Sequence, residues 1–108
     1  FSQGACLAME FIIRQKFSLG GIIPIAGFIV EKDKFKNGMV DGSQNTPVLL
    51  IHGSKDEMVL PVESKIALKL FSDSGYKVKL ETLSVGHKIP IQAKSLIENF
   101  INAVNLKR

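Results

Sequence analysis

The sequence has no tryptophan, one tyrosine and one cysteine among its 108 residues. A single cysteine, Cys6, excludes an internal disulfide and any zinc site that needs several cysteines. Because Cys6 lies in a helical pattern, we expect it to pack as a small apolar side chain. The lack of a disulfide framework fits a reducing compartment, and we therefore predict a cytoplasmic protein.

The sequence also lacks an apolar run long enough to cross a bilayer. The longest run, residues 19–30, has 12 residues and includes three glycines and a proline. A membrane-spanning helix needs about 20 apolar residues, so we expect a buried strand here and no integral membrane segment. No charged and then apolar leader opens the chain, and a secretory signal is not expected.

Positive charge is only moderately in excess, with 14 Lys and Arg against 10 Asp and Glu and a net charge of +4. The lysines are scattered, aromatic residues do not alternate with them, and the only arginines are Arg14 and Arg108. We therefore expect no nucleic-acid binding. A solvated basic face is a simpler interpretation than attraction to anionic lipid.

The spacing of apolar residues predicts alternating helices and strands. Three helices are expected: one within residues 1–17, one from about residue 62 to the glycine at 75, and one behind Pro90. The first has a wide apolar stripe that includes Phe11 and Phe17, so we expect it to be buried on most sides. Residues 22–30 and 48–51 are continuously apolar, as interior parallel strands are, and residues 77–83 alternate like an edge strand. This order predicts an α/β fold of one domain, residues 1–108, with about three mostly parallel strands flanked by three helices.

Three polar residues follow or precede these elements where chemistry is expected. Ser2 stands directly before the first helix, Asp56 follows the second strand and His87 follows the third. In open α/β sheets, reactive groups gather beyond the carboxyl ends of the strands. A serine needs an imidazole to accept its proton, and the imidazole needs a carboxylate to orient it. Alternatively, Ser2 could cap the helix, Asp56 could cap a turn and His87 could face solvent.

The motifs around these residues resemble the acyl-protein thioesterase and carboxylesterase family of serine α/β-hydrolases. Phe1-Ser2-Gln3-Gly4-Ala5 is similar to the family's nucleophile elbow, Gly-Phe-Ser-Gln-Gly. Residues 47–61, with His52-Gly53 before Asp56, resemble its acidic loop, and Gly86-His87 resembles its histidine loop. The order Ser, Asp, His is also the one that α/β-hydrolases use.

The resemblance implies a specific set of roles. Ser2 would be the nucleophile, His87 the general base and acid, and Asp56 the orienting carboxylate, with the backbone N–H of Gln3 as one oxyanion donor. His52 is expected to pack or hydrogen-bond at the strand end, outside catalysis. The family hydrolyses carboxylic esters, lysophospholipids or protein thioesters, so the expected substrate is a small acyl ester or thioester and no cofactor or metal is expected.

The resemblance covers the C-terminal half of the family's fold. The first elbow glycine, the strand before the elbow and the loop that supplies the second oxyanion donor lie outside this sequence. We therefore expect weak activity and association, either as a homodimer or with a missing N-terminal half. The alternative is a catalytically silent fragment that acts as a self-associating or partner-binding module.

Overall fold

The computed structural model describes residues 1–35 and 37–106, which fold around a small parallel sheet. Three α-helices and two strands are present in this part of the chain, together with two short 3-10 turns. The elements in chain order are α1 (Gln3–Ile13), the turns Lys32–Lys34 and Ser43–Asn45, β1 (Val48–Gly53), α2 (Val62–Asp73), β2 (Val78–Leu83) and α3 (Ala93–Leu106).

The sheet has β1 at its centre. β2 runs parallel to β1, with Val48 opposite Val78 and Gly53 opposite Leu83. On the other side of β1, residues 22–26 also lie parallel and pair at two points, Ile22 with Val48 and Ile25 with Ile51. All six residues of β1 are buried, whereas β2 is partly exposed along its length. The predicted interior strand and edge strand are thus observed.

The predicted strand at residues 22–30 is wrong in its extent. Its ladder ends where the Ala26 N–H donates to the Ile51 carbonyl at 2.9 Å. Ala26 has a φ of 55°, a left-handed conformation that turns the chain out of the sheet. The turn brings Gly27 against α1, where an added Cβ would lie 2.6 Å from the Ala5 Cβ. The apolar residues beyond Gly27 therefore leave the ladder instead of extending it.

Alternation along β1 divides the core into two clusters. Val48 and Leu50 point toward α1 and α2, whereas Leu49 and Ile51 point toward α3. The first cluster is the larger and contains the buried ring of Phe71, which makes edge contacts at 5.0 Å centroid distance with two other rings. These rings belong to Phe35 and Tyr76.

Helix α1 is less buried than its wide apolar stripe predicts. Its inner face is in the core, but Leu7 is 71% exposed and Phe11 is 51% exposed. The prediction that this helix is buried on most sides is therefore wrong for its outer face. Cys6 is buried, as expected. Among the described residues, no helix has both the length and the apolar character needed to span a bilayer.

Candidate active site

Ser2 lies in a sharp turn that leads into α1. Its φ is 54° and its ψ is −116°, values that a non-glycine residue rarely adopts. The Ser2 N–H donates to the Ile25 carbonyl at 2.8 Å, and the Ser2 carbonyl accepts from the Cys6 N–H at 3.1 Å. The side chain makes no helix-capping hydrogen bond, which removes the capping alternative. The turn leaves Oγ free for other partners.

His87 reaches Ser2 from the loop after β2. Its Nε2 lies 3.0 Å from the Ser2 Oγ. The loop is joined to the segment after β1 by backbone hydrogen bonds, from the Ser54 N–H to the Leu83 carbonyl at 2.7 Å and from the Lys55 N–H to the Val85 carbonyl at 3.0 Å. These bonds fix the separation between the histidine loop and the segment that carries Asp56. His87 therefore faces its partners from a tethered loop, which removes the solvent-facing alternative.

Asp56 completes the hydrogen-bonded series from the loop after β1. Its Oδ2 lies 2.7 Å from the His87 Nδ1, and its Oδ1 accepts from the N–H groups of Met58 and Val59, each at 2.9 Å. The residue is only 3% exposed. Burial raises the pKa of the Asp56 carboxyl, but the Val59 N–H, the His87 ring and the Met58 N–H outweigh burial and lower the pKa below its ordinary value of 3.8. The carboxylate is therefore ionised at neutral pH.

The three side chains define the proton positions in the His87 ring. A carboxylate can only accept, so the His87 Nδ1 carries a proton and donates it to Asp56. In the neutral ring, Nε2 is then the acceptor, and the Ser2 hydroxyl donates to it. This arrangement prepares Nε2 to receive the serine proton and places negative charge where the ring would become positive.

The backbone N–H of Gln3 lies next to Ser2. Gln3 is the first residue of α1. No carbonyl within the helix can accept from the first N–H groups of a helix, and the helix dipole makes this end positive. The Gln3 N–H thus has the position expected for a donor to negative charge that develops on a substrate oxygen beside Ser2.

Comparison with known proteins identifies the family. The sequence model of the family described as phospholipase/carboxylesterase matches residues 1–105. The chain belongs to this family. The family resemblance and the partial α/β-hydrolase fold expected from the sequence are both confirmed by this match and by the solved structures that the chain resembles.

The curated proteins that the chain resembles include acyl-protein thioesterases. The chain is 29% identical to acyl-protein thioesterase 1 of Debaryomyces hansenii over 106 residues, which cover 96% of this chain and 46% of that protein. It is 30% identical to acyl-protein thioesterase 1 homolog 1 of Dictyostelium discoideum over 104 residues, which cover 94% and 45%. The chain therefore spans about half the length of these relatives.

Two solved structures share the fold closely. Arabidopsis thaliana SOBER1 superposes with a TM-score of 0.90 at 25% identity, over 96% of this chain and 50% of that chain. Esterase PE8 superposes with a TM-score of 0.88 at 31% identity, over 96% and 47%.

Two residues near the site were not predicted to have close contacts there. The Oγ of Ser64, on α2, lies 2.5 Å from the Nδ1 of His52. The position of Ser64 in an amphipathic helix did not predict this hydrogen bond. Gly53 packs against the histidine loop so closely that an added Cβ would lie 2.2 Å from the Val85 carbonyl oxygen. His52 itself is buried and hydrogen-bonded at the end of β1, as predicted.

A cavity of about 500 Å³ lies at the opposite end of the sheet, where β1 and β2 begin. Its walls include Pro47, Lys77 and Phe100, and it contacts none of the three polar residues described above. Ligands of open parallel sheets bind beyond the carboxyl ends of the strands, so we expect the site near Ser2 and not at this cavity. Within residues 1–35 and 37–106, no group of three or more His, Cys, Asp or Glu side chains converges to hold a metal.

Proposed function

We propose that this chain carries the catalytic triad of a serine hydrolase that cleaves carboxylic esters or thioesters through an acyl-enzyme. The observation that carries the proposal is the continuous hydrogen-bonded series from the Ser2 Oγ through the His87 ring to the Asp56 carboxylate. Both distances, 3.0 and 2.7 Å, are within the range for proton transfer and for orientation by hydrogen bonding.

Acylation begins when the Ser2 Oγ attacks the carbonyl carbon of the substrate. His87 Nε2 takes the hydroxyl proton, and the ring becomes a cation that the Asp56 carboxylate stabilises. The carbonyl oxygen becomes an oxyanion, and the Gln3 N–H donates to it. When the tetrahedral intermediate collapses, the bond to the leaving group breaks and His87 returns the proton to the departing alcohol or thiol. The acyl group remains on Ser2.

Deacylation repeats these steps with water. His87 Nε2 removes a proton from water as its oxygen attacks the acyl carbon, and the same proton then returns to the Ser2 Oγ as the carboxylic acid leaves. An oxyanion hole normally has two donors, and removal of one typically costs about 10²- to 10³-fold in rate. With Gln3 as its one assigned donor, the chain alone is expected to hydrolyse slowly.

The relatives indicate the class of substrate. The relatives acyl-protein thioesterase 1 and carboxylesterase SOBER1 direct the proposal to acyl thioesters and carboxylic esters. Lysophospholipid-like esters stay a prediction from the sequence. An activated ester such as nitrophenyl acetate or butyrate is a suitable first probe, because its leaving group needs little help from the protein. A cytoplasmic location stays a prediction.

The direct test is covalent labelling with a fluorophosphonate probe. We expect one adduct, located on Ser2 by peptide mass spectrometry, and no adduct in Ser2→Ala. His87→Ala and Asp56→Asn should label more slowly because the base or its orienting partner is lost. A folded parent protein that takes no label, or that takes it on another residue, would refute the assignment.

The second candidate function is a catalytically silent fragment that associates with a second copy of itself. The observation that favours it is the outer face of α1, where Leu7 and Phe11 lie one turn apart and are both mostly exposed. Every copy has this apolar face, and two-fold self-association is the commonest symmetry of oligomers. Burial of such side chains stabilises a contact by about 1.5–3 kcal/mol each.

Sedimentation velocity over a range of protein concentrations tests the association. We expect a dimer that dissociates when Leu7 and Phe11 are both changed to lysine, with Lys65→Glu on the exposed side of α2 as a control that leaves it intact. A parent protein that sediments as a monomer at all concentrations contradicts self-association. The labelling experiment separates the two functions, because a silent fragment leaves Ser2 unmodified in either state.

A further inference from the structure

His52 is a buried titratable residue that the proposed reaction does not use. It is 1% exposed and lies near the end of β1, behind the Asp56 carboxylate. Its Nε2 lies 2.8 Å from the Val59 carbonyl oxygen and 3.4 Å from the Asp56 Oδ2. Its Nδ1 lies 2.5 Å from the Ser64 Oγ on α2. Both ring nitrogens therefore have a polar partner.

These partners determine which nitrogen of the His52 ring is protonated. The Val59 carbonyl can only accept a hydrogen bond, so Nε2 must carry the proton. In the neutral ring, Nδ1 is then an acceptor, and the hydroxyl of Ser64 must donate to it. Ser64 is itself buried, so water does not readily replace it in this role. The Val59 carbonyl thus fixes the tautomer of His52, and Ser64 supplies the donor that this tautomer needs at Nδ1.

The Nε2–H of His52 donates to the turn that contains Asp56. Val59 accepts from His52 through its carbonyl and donates to the Asp56 Oδ1 through its N–H. The ring therefore closes the turn of residues 56–59 around the carboxylate. The Nε2–H also lies near Oδ2, the oxygen that accepts from His87. A shift of this ring would change the direction in which Oδ2 faces His87.

We propose that His52 is a positioning residue that orients Asp56 toward His87, in the tautomer that the Val59 carbonyl fixes and that the Ser64 hydroxyl completes by donating to Nδ1. This inference rests on the proposed function, because it assigns a purpose to the orientation of Asp56. Helix α2 is thereby connected to the nucleophile through five side chains, in the order Ser64, His52, Asp56, His87 and Ser2.

Two amide substitutions separate positioning from simple filling of the core. In His52→Gln, the amide nitrogen can occupy the place of Nε2 and donate to Val59, whereas in His52→Asn it reaches only the place of Nδ1. Both variants keep a neutral polar side chain at the same buried position. We expect His52→Gln to retain most of the parent's kcat on nitrophenyl acetate. In His52→Asn, kcat should fall by up to about 10²-fold with KM unchanged, because a small misplacement of a catalytic group has that effect.

Nitrogen-15 NMR of the histidine rings gives a readout that does not depend on hydrolysis. At a pH where both rings are neutral, the parent should show His52 protonated at Nε2 and His87 protonated at Nδ1. The Nδ1–H population of His87 should fall in His52→Asn and be retained in His52→Gln. Equal His87 populations in the two variants, or a parent His52 protonated at Nδ1, would overturn the inference.

The parent spectrum can overturn the inference even where a variant does not fold, because a His52 ring protonated at Nδ1 is seen without any substitution. Failure of the proposed function is seen separately, as a folded parent whose Ser2 takes no fluorophosphonate label. A parent that fails this labelling but shows the expected His87 difference between the two variants retains the positioning role of His52 and loses only the hydrolytic one.

Discussion

Replacement of Gly53 by alanine should displace His87 indirectly, because the added methyl group would press on the loop that carries His87. Gly53 ends β1, and an added Cβ would lie 2.2 Å from the Val85 carbonyl oxygen and 2.5 Å from that of Gly86. Real Cβ contacts are essentially never shorter than 3.0 Å, so the histidine loop must retreat by at least the difference of 0.8 Å. The obstructing atoms are backbone oxygens, which cannot rotate away as a flexible side chain can.

This displacement of the histidine loop should lower both the rate of reaction at Ser2 and the stability of the fold. It stretches the hydrogen bond from the Lys55 N–H to the Val85 carbonyl, now 3.0 Å, and it moves His87 Nε2 from its position 3.0 Å from the Ser2 Oγ. A displacement of about 1 Å can cost about 10²-fold in rate. Overpacking of a well-packed site typically costs about 1–3 kcal/mol of stability.

Gly86→Ala is the matched control in the same loop. Its added Cβ would lie 3.9 Å from the Lys55 carbonyl oxygen, an ordinary contact, and Gly86 is not among the residues with positive φ. The assay is the rate of fluorophosphonate labelling at Ser2, with thermal unfolding followed by circular dichroism. We expect slow labelling for Gly53→Ala and nearly the parent's rate for Gly86→Ala. A folded Gly53→Ala protein that labels as fast as the parent would refute the reasoning.

Three further predictions concern the turn at Ser2 and the Asp56 carboxylate. Ser2→Gly should be about 1 kcal/mol more stable than Ser2→Ala in chemical denaturation. Only glycine relieves the strain of the positive φ, about 1–3 kcal/mol, and this gain exceeds the entropic cost of ordering a more flexible residue. Equal stability of the two variants would contradict strain at Ser2. The pKa of Asp56 is lowered in the folded state, so the contribution of its carboxylate to stability is present above pH 3.8 and is lost as the pH falls through the folded-state pKa. The melting temperature of Asp56→Asn should therefore fall less steeply than that of the parent below about pH 4. Parallel curves of melting temperature against pH would contradict this. Gly4→Ala should raise stability by up to about 1 kcal/mol and keep the fluorophosphonate labelling of Ser2. Nothing lies within 4 Å of the added Cβ, and alanine favours the helix more than glycine does. A loss of labelling would show that the turn at Ser2 needs glycine at position 4.

The order of elements could be predicted because the helices and the edge strand have a clear apolar period and the interior strands are continuous apolar runs. Residues 48–51 were correctly expected as a buried strand, and β1 extends two residues further to Gly53. The end of the preceding strand could not be predicted, since the apolar run continues past Ala26 and nothing in an alanine indicates a left-handed φ. The exposure of Leu7 and Phe11 was also missed, because an apolar stripe shows which residues favour burial but not whether a partner covers them.

The candidate site was easier to predict than its supporting contacts. Ser2, Asp56 and His87 each adjoin an element whose type could be read from the sequence, and parallel strands bring such positions to one edge of the sheet. The structure brings all three together, while their catalytic roles stay predictions. The bond between Ser64 and His52 could not be expected, because it depends on the depth at which α2 packs against β1 and a serine on a helix is usually solvated.

The strained turn at Ser2 is held by hydrogen bonds and close packing with other described residues of the chain. Ser2 and Ala26 both have positive φ, and each such residue costs about 1–3 kcal/mol, a large share of the 5–15 kcal/mol that stabilises a typical domain. The two are coupled, since the Ser2 N–H donates to the Ile25 carbonyl while the next N–H, from Ala26, donates to Ile51 in β1. Gly27 then packs on α1 at a distance that no Cβ would allow. Relaxation of either turn would therefore break a hydrogen bond to the sheet or a close contact in the core, so the sheet itself enforces the geometry of the turn at Ser2.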